Sequence, residues 1–383
     1  MRSSDRSAIQ PFHVMEVLKA AQLRQRTHGD LLLMCVGQPS TPAPTAVREA
    51  AKAAVDSHPL GYTDATGILE LRQAIAEHHR QWYSIDVDPQ DVMVMTGSSG
   101  IFSTLFLAAF EAGDTVAMAR PGYPAYRNTL SALGCTVLEL DCGPETSYQP
   151  TVSMLEALPT APRGLIVASP SNPTGTVIDA AELAAIAGWC EDHECLLISD
   201  EIYHGITYGT PAASAWQTSR ASVVVGSVSK YFSMTGWRLG WALVPEHLRR
   251  PMEILAQNLT ICPPAISQHA AVAAFSPAAR TELDGHVRRY ADNRELLLAR
   301  LPELGLGSAT PPDGAFYLWC DIGHVTDDSV RWCQGVLADT GVALTPGVDF
   351  DTARGAQQMR MSFSGTGAEV AEAVDRLAAS AWL

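Results

Sequence analysis

The sequence predicts an α/β fold with a largely parallel seven-stranded sheet covered by helices, accompanied by a smaller α+β region. Two observations carry this. Between residues 40 and 275, short Val-, Ile- and Leu-rich runs of the kind buried on both faces of a parallel sheet alternate with helical patterns. From residue 277 to 301 helical spacing dominates, after which shorter strand patterns return. A chain of 383 residues exceeds what one core usually holds, so two domains are expected. Residues 40–275 read as the large one, and residues 1–39 together with 276–383 as the small one.

The elements follow in order. A helical pattern over residues 12–26 is expected to pack on the C-terminal part. Strand patterns fall at residues 92–96, 115–119, 136–140, 164–168, 195–199, 222–226 and 239–244, with a helical pattern over 101–110 after the first. In the C-terminal region strands are expected near 314–320, 342–345 and 359–363, and a last helix near 368–379.

Composition narrows the function classes. With 47% hydrophobic and 17% charged residues the chain is globular, and 26 basic against 41 acidic residues give a formal charge of −15. That balance argues against nucleic acid or an anionic membrane as the main partner. Residues 1–5 lack an apolar signal core, and the run Leu31-Leu32-Leu33-Met34-Cys35-Val36 is far too short to cross a bilayer. The eight cysteines form no disulfide framework, which is expected in a reducing cytoplasm. Cys190, His193 and Cys195 lack a second pair at metal-site spacing and read as packing thiols beside a surface histidine, so no metal is expected.

Lys230 is the most informative residue. It follows the apolar strand pattern Ser222-Val223-Val224-Val225-Gly226 in the run Ser227-Val228-Ser229-Lys230. The other lysines, Lys19 and Lys52, lie in Ala-rich helical patterns where the ammonium is solvated. A lysine held in a cleft loses its proton near neutrality and can attack a carbonyl to form a Schiff base; a strand-end lysine with its ammonium in water is the alternative. Other strand patterns also end in polar runs. Residues 164–168 lead into Ser169-Pro170-Ser171-Asn172-Pro173-Thr174-Gly175, and residues 196–199 into Asp200-Glu201-Ile202-Tyr203. Ligands of open α/β sheets bind outside the carboxyl ends of the strands, so these loops should face one crevice.

These runs, together with Gly61-Tyr62-Thr63 and Gly67, Thr96-Gly97-Ser98-Ser99-Gly100, Pro121-Gly122-Tyr123-Pro124, Gly236-Trp237-Arg238-Leu239-Gly240 and Arg360-Met361-Ser362-Phe363-Ser364, stand in the order found in one family. The chain resembles, over nearly its whole length, the class I/II aminotransferases of fold type I, which use pyridoxal 5'-phosphate. The positive charge for that anionic cofactor must be local in so acidic a chain.

The resemblance implies a role for each matching residue. Lys230 would be the Schiff-base lysine and, once displaced by the substrate amine, the proton shuttle. Asp200 would pair with the pyridine nitrogen and keep it protonated; a helix-capping Asp is the alternative. Asn172 and Tyr203 would hydrogen-bond the phenolic oxygen of the ring, and Tyr123 would stack on its face. The Gly97-Ser98-Ser99 amides at a helix start, with Ser227, Ser229 and Arg238, would hold the phosphate. Tyr62 would reach that phosphate from a neighbouring subunit, which implies a homodimer. Arg360 would form a bidentate pair with the substrate α-carboxylate, met also by the backbone of Gly37.

The implied activity is transfer of an amino group between an amino acid and a 2-oxo acid by a ping-pong route. Two alternatives share the scaffold: a β-eliminating C–S lyase, and the effector-sensing domain of a regulator, for which no basic winged-helix segment is seen ahead of Tyr62. Side-chain specificity is less legible. Some bacterial aspartate enzymes of this subgroup carry a lysine for the distal carboxylate at the position matching Ser99, and Ser99 cannot supply that charge. Alanine, valine, aspartate and aromatic donors remain open, with a valine–pyruvate activity as one candidate.

Overall fold

The computed structural model describes residues 3–209, 211–308 and 311–383; the first two residues of the N-terminal segment lie outside them. Among the described residues the strands are β1 (Leu32–Leu33), β2 (Val92–Met95), β3 (Thr115–Arg120), β4 (Thr136–Asp141), β5 (Gly164–Ala168), β6 (Leu196–Asp200), β7 (Val223–Ser227), β8 (Gly240–Leu243), β9 (Gly307–Ser308), β10 (Tyr317–Asp321), β11 (Val342–Ala343), β12 (Thr345–Pro346) and β13 (Gln358–Ser362). The helices are α1 (His13–His28), α2 (Thr45–Ser57), α3 (Leu69–Tyr83), α4 (Gly97–Ala109), α5 (Pro124–Leu133), α6 (Val152–Glu156), α7 (Ala180–Asp192), α8 (Glu246–Leu259), α9 (Ala265–Val272), α10 (Pro277–Arg300), α11 (Ser329–Thr340) and α12 (Gly367–Ala378).

Seven strands form one sheet in the order β2-β8-β7-β6-β5-β3-β4. All neighbours are parallel except β8, which runs antiparallel to both β2 and β7. Alternate residues of each strand enter two different cores. Val92, Val94, Ala117, Leu165, Val167, Leu197, Val224 and Leu243 bury on one face, and Met93, Met95, Val116, Met118, Ile166, Ile198, Val223 and Val225 on the other. Burial on both faces explains why these strands read as unbroken apolar runs rather than alternating ones.

This topology fixes where polar groups gather. Strands β2, β3, β5, β6 and β7 all end at the same edge. The reversed β8 starts there too, since Gly240 lies opposite both Met95 and Ser227. The loops carrying Gly97, Tyr123, Asn172, Asp200, Lys230 and Arg238 therefore converge by connectivity alone.

The second region is built on the sheet β12-β13-β10-β9 and the long helix α10. Helix α10 starts at Pro277 and is capped by Ser276, whose hydroxyl accepts from the Ala279 amide at 3.3 Å. Here the structure departs from two expectations. The strand expected at 342–345 is two short strands in different sheets: β11 pairs with β1, and β12 with β13. The strand expected from 314 begins at Tyr317, because Gly314 instead bridges to Thr207. The parallel β1–β11 pair ties the N-terminal segment to the C-terminal region. Cys190 and Cys195 are buried, and His193 stacks on Trp189 with ring centroids 4.2 Å apart. Among the described residues no helix is long and apolar enough to cross a membrane.

Candidate active site

At the converging edge lies a cavity of about 510 Å³ lined by Gly37, Ser98, Ser99, Tyr123, Asn172, Asp200, Tyr203, Ser229, Lys230, Arg238 and Arg360, with Phe12, Val14 and Met15 of the α1 start on one side. Eleven of the fourteen residues singled out in the sequence thus share one space. The other three lie outside its lining. Gly97 sits beneath it, Ser227 is buried at the end of β7, and Tyr62 is 85% exposed on the surface of the single chain.

The Lys230 amine donates to the Gly37 carbonyl at 2.6 Å and lies 5.5 Å from the centre of the Tyr203 ring. Burial, reinforced by the Arg360 and Arg238 charges and opposed by Asp200, brings its pKa down to about 8. Asp200 faces the cavity from the end of β6 and is only 3% exposed. Its Oδ2 accepts from the Tyr126 hydroxyl and its Oδ1 from the Ile202 amide at 3.0 Å. Burial raises its pKa to about 6, while Tyr126, the Ile202 amide and Lys230 pull it down.

Arg360 is buried in the middle of β13. Its Nη1 donates to Asn172 Oδ1 at 2.7 Å and its Nη2 to the Cys35 carbonyl at 2.6 Å, while Nε has no partner. The guanidinium lies against the rings of Tyr317 and Phe350, 4.4 and 4.7 Å from their centres. Such a flat cation, sandwiched and only partly neutralised, suits a carboxylate. Tyr203 shares a 2.6 Å hydroxyl–hydroxyl bond with Tyr317. Gly37 approaches so closely that a Cβ there would fall 1.6 Å from the Tyr317 hydroxyl, which explains the glycine.

Opposite this end, helix α4 begins at Gly97 with no side-chain cap from Thr96, so its first amides are left for another acceptor. A Cβ on Gly97, at φ +71°, would stand 2.7 Å from Arg238 Nη2; its absence lets the guanidinium lie beside the helix start. Ser229 joins them in the cavity lining. The Ser227 hydroxyl is engaged within its own turn, donating to the Leu239 carbonyl at 3.4 Å and accepting from the Ser229 amide at 3.1 Å. Free amides, a guanidinium and a hydroxyl around one point could hold a phosphate. A buried carboxylate, a phenol and a low-pKa amine lie further in, a donor set that fits a phosphorylated pyridine aldehyde.

Two residues that line this site, and one that supports its wall from behind, escaped the sequence reading. Tyr126, three residues after Tyr123, was detectable from helical spacing in Pro124-Ala125-Tyr126. Tyr317 and Asp349, the latter supporting α1, carry no local signal.

Comparison with known proteins shows the family. Residues 29–377 match the family model of aminotransferase class I and II. The chain is 55% identical over 99% of its length to the valine–pyruvate aminotransferase of Mycobacterium tuberculosis, covering 97% of that protein. A crystal structure of an aminotransferase from the same organism superposes with a TM-score of 0.96 at 55% identity, covering 99% of this chain and 98% of that one. The aspartate aminotransferase of Thermus thermophilus with maleate gives a TM-score of 0.93 at 32% identity, over 99% of this chain and 100% of that chain. The chain belongs to the class I and II aminotransferases. It is a fold type I, pyridoxal phosphate-dependent enzyme that moves an amino group between amino and 2-oxo acids, and this resolves the alternatives in favour of transamination.

Proposed function

We propose that this aminotransferase takes a neutral aliphatic amino donor, with valine as the reference substrate, and pyruvate as acceptor. The observation that carries the reading is the distribution of charge in the cavity. Among the described lining residues the cations are Lys230, Arg238 and Arg360, each already assigned to the cofactor or to the α-carboxylate in this reading. The rest of the lining is uncharged apart from Asp200: apolar Phe12, Val14, Met15, Val36, Phe102 and Ile202 stand beside polar Gln38, Ser103, Thr129 and Thr235, and the serine at position 99 offers no charge. A distal carboxylate would be desolvated there without a cation to pair with. The valine–pyruvate relative supports the same choice.

In this reading Arg360, helped by the Gly37 backbone and Asn172, orients the donor by its α-carboxylate. The α4 amides of Gly97, Ser98 and Ser99, with Arg238, Ser229 and Ser227, hold the cofactor phosphate, completed by Tyr62 of a second copy. Tyr123 covers the ring, Asp200 holds a proton on its nitrogen, and Asn172 and Tyr203 face its phenolic oxygen. Bound pyridoxal phosphate supplies an electron-withdrawing ring that disperses negative charge from the donor's α-carbon. Lys230 Nζ, poised near neutrality, would move a proton between that carbon and the cofactor's C4', in one direction with the donor and in the reverse direction with the acceptor. The reading includes a homodimer, a cytoplasmic enzyme, as eight unpaired cysteines suit, and a domain division near residues 40 and 275.

Steady-state kcat/KM for valine, alanine, an aromatic donor and aspartate, each against pyruvate and 2-oxoglutarate, tests it. Valine with pyruvate is expected to lead. A preference for aspartate of about tenfold or more, roughly 1.4 kcal/mol, would overturn it.

A further inference from the structure

Helix α1 forms one wall of the cavity but cannot cap itself. Its N-cap position is Phe12, which has no polar side chain, and the first amides lack partners within the helix. The missing acceptor comes from the other end of the chain. Asp349, 2% exposed, accepts from the His13 amide at 2.9 Å through one carboxylate oxygen and from the Val14 amide at 2.7 Å through the other. A buried carboxylate at a helix N-terminus is favoured by both the free amides and the helix dipole.

The placement links this cap to substrate recognition. Next to Asp349, Phe350 lies against the Arg360 guanidinium and packs with Val14, Trp319 and Tyr148 in one apolar cluster, against which Phe12 rests. Phe12 also meets Tyr123 edge-on, with ring centroids 5.9 Å apart. The large-sheet side holds the same turn, since Arg127 Nη2 donates to the Asp349 carbonyl and the Gly122 amide to the Phe350 carbonyl, each at 3.0 Å. Met15, 54% exposed, lines the cavity one residue beyond the capped amides.

We propose that Asp349 is a positioning residue for donor specificity: its carboxylate fixes the first turn of α1 so that Phe12 and Met15 form an apolar wall against the donor side chain. The inference rests on the neutral-donor reading and deepens it. Capping fixes where the wall stands relative to Arg360, so a branched side chain fills the space while a short one leaves it empty.

The test uses the holoenzyme in single-turnover half-reactions with valine and with alanine, followed by the cofactor's absorbance. It also uses the dissociation constants of two unreactive carboxylates, 3-methylbutanoate and acetate. Asp349→Ala is expected to reduce the valine-to-alanine preference at least about fivefold, through apparent affinity rather than maximal rate, and to reduce the 3-methylbutanoate-to-acetate ratio with it. Asp349→Asn keeps one acceptor oxygen and should fall between. If Asp349→Ala does not fold, the same two ratios measured on Asp349→Asn decide the matter. Unchanged ratios, or an equal loss for every ligand, would overturn the proposal. If the wild-type enzyme prefers aspartate, the donor reading falls, and the 3-methylbutanoate-to-acetate ratio alone then judges Asp349.

Discussion

Tyr126 donates its phenolic proton to Oδ2 of Asp200, joining helix α5 to the end of β6 through two buried side chains. The carboxylate that faces the cavity is therefore aimed by a phenol from helix α5. Because a donor stabilises the ionised form, Tyr126 lowers the Asp200 pKa against the upward push of burial.

Removing that donor should raise the pKa of Asp200 above about 6. Tyr126→Phe is expected to move the acid limb of cofactor binding by the apo-enzyme to higher pH. Turnover should fall roughly 10- to 100-fold, the worth of a hydrogen bond to a buried charge. Binding titrations between pH 5 and 8 check this, and an unmoved acid limb would show that Asp200 is ionised by other partners.

Asp200 itself should separate binding from chemistry. Asp200→Ala leaves untouched the start of α4, the proposed phosphate cup, so the variant should still bind pyridoxal phosphate while losing turnover by several orders of magnitude. Each tenfold loss is about 1.4 kcal/mol of transition-state stabilisation. Near-wild-type kcat would mean that the pyridine nitrogen is held by another group.

Lys230 gives the clearest pH signature. An amine attacks an aldehyde only when unprotonated, and burial has moved this one from the ordinary lysine range down to about 8. The rate at which apo-enzyme captures pyridoxal phosphate should climb with pH and level off just above 8. A lysine in water would keep climbing toward 10.5. Borohydride treatment and peptide mass analysis should place the pyridoxyl group on Lys230; its appearance on Lys19 or Lys52 would reverse the assignment.

Much of this was legible in the sequence for a physical reason. Strands buried on both faces leave continuous apolar runs, and all seven strands of the large sheet lie within two residues of the expected positions. The polar runs that follow them had to meet, since strand polarity puts their carboxyl ends on one edge. Two kinds of feature stayed hidden. Strand β1 is two residues long, too short to show periodicity, and its pairing with β11 joins opposite ends of the chain. The Asp349 cap and the Tyr203–Tyr317 bond join residues whose local sequence says nothing of the partner. Tyr62, named from the resemblance alone, stands exposed in the single chain.

Arg360 should set a uniform cost. In the proposed reading it binds the group common to all donors, so Arg360→Lys should weaken valine, alanine and aromatic donors by a similar factor, on the order of 1.5–3 kcal/mol. Lysine cannot reach Asn172 Oδ1 and the Cys35 carbonyl together while presenting a fork. A loss confined to one donor in kcat/KM comparisons would mean that Arg360 reads side chains instead.

The last prediction concerns Tyr62, whose exposure suits a residue that works across an interface. Tyr62→Phe should weaken cofactor binding without changing the Lys230 environment, and Lys230→Ala should abolish turnover. If each site takes its lysine from one subunit and its tyrosine from the other, a hybrid dimer of the two variants contains one site with both defects and one with neither. Mixing the variants under conditions that exchange subunits should then restore activity well above the sum of the parents at limiting pyridoxal phosphate. Activity that never exceeds that sum, in mixtures shown by mass spectrometry to contain hybrids, would place Tyr62 within its own subunit's site or outside the site altogether.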